Sequence, residues 1–302
     1  MKRRRRIDFL IYCIADFVMA MLSWACFFIY RKKVENAEIS WSVLQEDQNF
    51  WLGIIIIPIG WLLLYALFDK YKDIYRMSRL ATLARTFFLT FLGVFFLFFA
   101  LILDDFVRDY RTYYNSFFTL FTLHFLLTSF VRMILLTRAS RRLKSGLVTY
   151  STIIIGSGQR AVDLYKDITS RKRSLGNHFL GFIQTNTIGE KPLSKQLVKL
   201  GELKDLERVI KERDVEEVII AIENTEHSRV RAILNTLFDF DDKVLVKIIP
   251  DMYDILLGNV KMSHVYGAIL IEVKQDLMPR WQQLVKRLID LTASTIFMIL
   301  LS

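Results

Sequence analysis

The sequence predicts a membrane α-helical domain of four transmembrane helices joined to an α/β domain, a Rossmann-like doubly wound parallel sheet, with the start of a re-entrant membrane helix behind it. Three observations carry this. Four apolar runs, Ile7 to Tyr30, Phe50 to Phe68, Thr86 to Leu103 and Ser116 to Leu136, each approach the roughly 20 residues a helix needs to cross a bilayer core. From Val148 onward, β-branched runs alternate with charged helical patterns, as strands and crossover helices do. Last, an amphipathic segment from Trp281 to Asp290 enters a fifth apolar run.

The four runs are helices because hydrocarbon offers backbone amides no water, so each must be satisfied within its own segment. Composition agrees: 53% of the 302 residues are hydrophobic and 24 are Phe, and a mean hydropathy of +0.31 excludes an ordinary soluble domain. The first run is a retained anchor, not a cleaved leader. It is too long, and it ends in Trp24, Phe27, Phe28 and Tyr30, where a cleavage site would need small residues. Net charge +10 invites a nucleic-acid partner, but the basic residues track the membrane. Fourteen Lys and Arg precede the first run, join the second to the third or follow the fourth, against five in the other two loops. The positive-inside rule then places the N-terminus and the α/β domain in the cytoplasm, as in a multi-pass protein of the bacterial inner membrane, with the lipid bilayer as partner and no nucleic acid. Cys13 and Cys26 lie within the first run and make no disulfide framework.

Three polar residues fall inside the spans. Asp16 lies about 14 Å along the helix from Ile7, near the bilayer midplane. His124 sits mid-way along the fourth run, and Arg132 lies nearer its cytoplasmic end. An acid at that depth is costly and must face a partner on another helix. Two readings stand: a polar substrate or proton site, or a pair that holds the bundle. The lack of further acids there favours the pair.

In the α/β region, strands are expected at 152–155, 179–183, 196–200, 217–222 and 244–249, with helices at 161–173, 204–213 and 228–240. Gly156-Ser157-Gly158-Gln159-Arg160-Ala161 fits G-x-G-x-x-A between the first strand and first helix. The first Gly permits the tight turn, the second admits a phosphate to backbone amides, and the small third residue lets helix and strand pack closely. A dinucleotide site usually adds an acid at the end of the second strand, and 181–187 holds none. The turn is therefore read either as a weak nucleotide site, with Glu223 flanking the same crevice, or as architecture, and the missing acid weighs toward the latter. His178, His227 and His264 lack metal-ligand spacing, and no metal site is expected.

Trp281, Leu284, Val285, Leu288 and Ile289 form one helical stripe, with Lys286, Arg287 and Asp290 off it, as in a helix lying in a membrane interface. The run 291–301 covers only about 17 Å as a helix, about half a bilayer, so it either turns back or is unfinished. The domains are thus 1–145, a transmembrane bundle; 146–276, a cytosolic Rossmann-like domain; and 277–302, an interfacial helix.

The basic loop Phe68-DKYKDIYRMSR-Leu80, the turn Ile153-IIGSGQRA, Leu200-GELKDL before Val218-IIAI, and Trp281-QQLVKRLIDLTASTIFMILLS together resemble the long-form bacterial polyprenyl-phosphate hexose-1-phosphate transferases. Lys286, Arg287 and Asp290 match the K-R-x-x-D that opens that family's catalytic domain. The resemblance implies transfer of a sugar-1-phosphate from a UDP-sugar to undecaprenyl phosphate in exopolysaccharide or O-antigen synthesis. It also implies Mg²⁺ in the full-length enzyme and a homo-oligomer. The family's Asp-Glu pair falls beyond Ser302, so this chain is expected to anchor and regulate, to hold no catalytic residue and to be inactive alone. Two alternatives are a membrane-anchored nucleotide-sugar 4,6-dehydratase, which the segment after Trp281 fits poorly, and a non-enzymatic nucleotide-sensing membrane protein, for which no glycine-rich pore loop is seen.

Overall fold

The computed structural model describes residues 2–34, 41–68, 73–99, 110–185, 192–222, 227–240, 243–249 and 270–273, and positions 282, 286, 287, 289, 290 and 294. The chain divides into two compact units, Met1–Arg141 with Met278–Ser302, and Arg142–Leu277.

The first unit contains α1 (Lys2–Val34), α2 (Trp41–Glu46), α3 (Gln48–Phe68), α4 (Arg79–Leu97) and α5 (Tyr110–Lys144). All but α2 are long and apolar enough to cross a membrane, four spans in all. This is a membrane protein. Each span reaches beyond its apolar run at one end or both: α1 takes in the leading arginines, and α4 starts at Arg79, seven residues ahead of Thr86. Long basic side chains are good helix formers and carry their charge to the interface on apolar stems, so a helix need not stop where hydrophobicity does. The short α2 has no counterpart in the apolar pattern.

The bundle core takes aromatic residues from α1 and α3, among them Trp24, Phe27 and Trp61, while α4 and α5 turn small and polar groups toward it and large apolar groups outward. On α5 the buried positions Ser116, Leu120, His124, Thr128, Arg132, Leu136 and Ala139 recur every three or four residues, while Phe118, Leu126, Phe130 and Ile134 are exposed. On α4, Thr82, Thr86, Thr90 and Gly93 are buried, and Phe87, Phe88, Phe91, Phe95 and Phe96 face out. A soluble helix would show the reverse; lipid tails are as apolar as Phe, so the core is chosen for close approach and hydrogen bonding. Gly93 shows the constraint directly, since a Cβ there would overlap the Trp61 ring. The basic loop after α3 is pinned at Tyr75, whose hydroxyl donates to Asp8 and whose amide donates to Asp73 Oδ1 at 3.1 Å.

The second unit is a sheet of six strands, β1 (Tyr150–Ile155), β2 (Asn177–Gln184), β3 (Lys199–Glu202), β4 (Glu217–Ile220), β5 (Leu245–Ile248) and β6 (Ile271–Val273), in the order β3-β2-β1-β4-β5-β6. The first five are parallel, and β6 runs antiparallel beside β5. The expected five-strand α/β sheet is present, and β6 adds an edge that the alternating pattern did not resolve. The third strand lies later than 196–200 because Pro192–Lys195 coils into a 3₁₀ turn, with the amides of Gln196 and Leu197 each 2.9 Å from the Leu193 carbonyl. Helix α6 (Gln159–Thr169) and that turn cover one face through Ile154, Phe182 and Ile219. Helices α7 (Leu206–Arg213) and α8 (His227–Phe238) cover the other through Ile153, Ile155, Val218 and Ile220. Burial on both faces explains why these strands read as unbroken aliphatic runs. Because β1 lies between β2 and β4, the chain leaves it in both directions, and the ligand crevice of such a sheet lies at that switch point.

Candidate functional site

At the carboxyl end of β1 the backbone turns at Gly156, with φ +131°. Its amide donates to the Ile183 carbonyl at 3.0 Å, and a Cβ there would strike the Ala221 carbonyl, so β1 leaves the sheet hard against β4. Only glycine meets both demands. Ser157 follows, buried, and its carbonyl accepts from the Leu193 amide at 3.4 Å. Gly158 is the N-cap of α6 and brings no side chain to cap it. The positive end of this 11-residue helix thus receives no side-chain cap from its N-cap residue. Ala161 is fully buried against Ile154, Ile219 and Ala221, so the motif's small third position serves helix–sheet packing.

Two arginines bond backbone carbonyls just past the neighbouring strands. Arg160 Nη1, on α6, donates to the Ile222 carbonyl beyond β4 at 3.3 Å, and Arg229 Nη1, on α8, donates to the Thr185 carbonyl beyond β2. Neither was singled out from the sequence. Arg160 sits at a variable position of the motif, and nothing in the pattern of α8 marks Arg229. Gln184, buried at the end of β2, occupies the place where a ribose-binding acid was sought. Glu223 lies outside the described residues. Among the described residues, Asp163 accepts from Gln159 at 2.7 Å, and Glu202 pairs with Lys199 at 3.6 Å and Lys204 at 3.4 Å. Asp205, with its partner Glu202, forms a capping box ahead of α7. The Glu202 amide donated to Asp205, helped by Arg208, holds that carboxyl below its usual range.

Within the bundle, Asp16 and Arg132 meet. Arg132 Nε and Nη2 donate to the two carboxylate oxygens at 2.9 and 2.8 Å, and Nη1 donates to Thr86 Oγ1 at 2.8 Å. The guanidinium also lies 4.1 Å from the Tyr65 ring centroid. His124 does not join the acid; it stacks on Trp61 at 3.8 Å and bonds Tyr65 Oη through Nε2 at 2.8 Å. His124 Nδ1 has no partner among the described residues. An orphaned acceptor costs less than an orphaned N–H, so the proton belongs on Nε2, which donates to Tyr65. One connected network therefore draws on all four spans. Lys286, Arg287 and Asp290 are helical and exposed, with Ile289 also exposed, while the run 295–301 lies outside the described residues.

Residues 70–250, from the basic loop through the end of β5, match a family model described as a CoA-binding domain. The chain belongs to this CoA-binding domain family. Domains of the family are found in bacterial sugar transferases. No curated protein matches the chain. Membership joins the last two membrane spans and the five parallel strands in one family unit, and the turn at Gly156–Ala161 lies within it.

Proposed function

We propose that this protein is the membrane-anchoring, nucleotide-responsive portion of a bacterial initiating sugar-1-phosphate transferase, which moves sugar-1-phosphate from a UDP-sugar to undecaprenyl phosphate. The observation that carries it is a family match that runs from the membrane spans through the parallel sheet, in a family found in bacterial sugar transferases. The basic loop and the Lys286, Arg287 and Asp290 pattern add to it, and the family's description supports a phosphate-bearing nucleotide at the Gly156 turn. The α/β domain faces the cytoplasm in this reading, where UDP-sugars and CoA are found, and the bundle supplies the bilayer anchor and a homo-oligomer contact. Mg²⁺ belongs, in this reading, to the full-length enzyme. Among the described residues no group of three His, Cys, Asp or Glu side chains could hold a metal ion.

The test uses membranes from the native host, with and without the gene. Loss of labelled sugar-1-phosphate transfer from UDP-glucose or UDP-galactose to lipid on deletion, restored by complementation, is expected. Equal transfer in both membranes would overturn the assignment.

A further inference from the structure

The apolar run of α5 stops at Leu136, but the helix continues to Lys144. Those added residues rise about 12 Å at about 1.5 Å each. A head-group layer is about 5–8 Å deep on either side of the hydrocarbon, so Lys144 ends within a Debye length, about 8 Å, of the lipid phosphates. The sequence of this stretch, with Arg138, Arg141, Arg142 and Lys144, is that of an interfacial segment.

The helix then closes in a left-handed glycine cap. Gly146 has φ +74°, its amide donates to the Leu143 carbonyl at 3.0 Å, and the Leu147 amide donates to the Arg142 carbonyl at 3.1 Å. In such a cap the residue after the glycine usually packs back on an apolar side chain of the last turn. Here the matching position is Arg142, and Leu147 is 55% exposed. The turn between α6 and β2 is fastened to the same helix end. The Ser174 amide donates to the Lys144 carbonyl at 3.1 Å, and Gly176 lies so close to Leu143 that a Cβ would overlap that side chain. Arg171, Lys172 and Arg173 immediately precede Ser174. Arg171 is bonded to both carboxylate oxygens of Asp167, whereas Lys172 and Arg173 are exposed.

We propose that Lys172, Arg173 and Leu147 form a surface by which the α/β unit rests on anionic lipid head groups where α5 leaves the membrane. The bond from Ser174 to the last residue of a spanning helix selects lipid as the partner, because it holds the turn at the bilayer's edge. Cations beside an exposed aliphatic side chain suit that interface, with the charge at the phosphates and Leu147 below them. Carboxylates of this end of the sheet are engaged elsewhere: Glu216 accepts from the Ser151 amide at 3.2 Å, and Glu217 is bonded to Lys247 and Asn177. The surface is separate from the Gly156 turn, which lies at the carboxyl end of β1, whereas Gly176 leads into the amino end of β2. It makes the seating of the α/β unit depend on the charge of the leaflet.

The experiment uses the full chain with Cys13 and Cys26 replaced by Ala, in nanodiscs of phosphatidylcholine alone or mixed with phosphatidylglycerol. A fluorophore on Ser170→Cys, exposed beside the turn, is quenched by a nitroxide carried on lipid head groups; Glu207→Cys, exposed on α7 after the carboxyl end of β3, is the control. Quenching at position 170 is expected to be several-fold stronger with phosphatidylglycerol and to stay weak at 207 in both lipids. Each basic residue near an anionic surface strengthens such a contact about fivefold. Lys172→Glu with Arg173→Glu should therefore return position 170 to its phosphatidylcholine level, and Leu147→Ser should lower it in part. Salt at about 1 M, where the Debye length falls to about 3 Å, should do the same to the unaltered turn without any substitution. Equal quenching in the two lipids, or quenching that survives both charge reversal and salt, overturns the proposal. So does a label shielded from the nitroxide and from aqueous iodide alike, which would put protein, such as a second copy of the chain, over the turn.

Discussion

Removing the Arg132 guanidinium should be among the most damaging single changes in the bundle. Asp16 is 3% exposed and Arg132 1%, and the pair shares two hydrogen bonds of 2.9 and 2.8 Å. Arg132→Met leaves a buried carboxylate with no counter-charge at that depth, a loss of about 3–5 kcal/mol. Asp16→Asn should cost less, about 2 kcal/mol, because Thr86 and the faces of Tyr65 and Tyr12 still receive the guanidinium. Replacing both, as Asp16→Asn with Arg132→Met, removes both buried charges together with their attraction and should fall within about 2 kcal/mol of wild type. A double-mutant cycle read by unfolding in mixed micelles should therefore give a coupling of about 3–5 kcal/mol. Intramembrane hydrogen bonds average only about 0.6 kcal/mol. A coupling at or below that value would refute the claim that the pair holds the bundle, and would show that the unfolded helices find equally good partners in the membrane.

Four further outcomes are expected. Gly156→Ala should lower the stability of the α/β unit by about 1–3 kcal/mol, because a Cβ at φ +131° meets the Ala221 carbonyl; thermal unfolding that matches wild type would contradict the geometry. Lys247→Met strands Glu217, 2% exposed and bonded to Lys247 at 2.6 Å and to Asn177 at 2.8 Å, and should cost about 2–3 kcal/mol, with Glu217→Gln partly restoring the loss in the double variant. Asp205 titrates below its unfolded value, so its capping contribution is complete above that value, about pH 4, and is lost as pH falls through the folded one; the stability gap between wild type and Asp205→Asn should be flat from pH 7 to about pH 5 and shrink below. Single cysteines at Asn36 and Arg108 should label from the periplasm and one at Lys191 from the cytoplasm, following the basic-residue asymmetry; the opposite pattern would invert the proposed topology.

The amino-acid order alone determined that the chain spans a membrane, that a parallel α/β sheet follows, and where the glycine turn falls. These rest on periodicity and on runs of one residue class, which are local properties. A 20-residue apolar run has one way to satisfy its amides, and an aliphatic strand buried on both faces has few others. Element ends were less legible: the basic flanks of α1 and α4 carry helix without hydrophobicity, and Pro192–Lys195 displaced β3 by coiling. The sequence marked Asp16, His124 and Arg132 as needing partners, but not which would pair. That choice depends on the rotation of each helix about its axis, which sets Arg132 against Asp16 and turns His124 onto Trp61 and Tyr65. The antiparallel β6, and the bonds from Arg160 to the Ile222 carbonyl and from Arg229 to the Thr185 carbonyl, were decided by tertiary structure for the same reason. Arg160 and Arg229 are 69 positions apart in the chain, and only the strand order sets their carbonyl partners, Ile222 and Thr185, just past the two neighbours of β1.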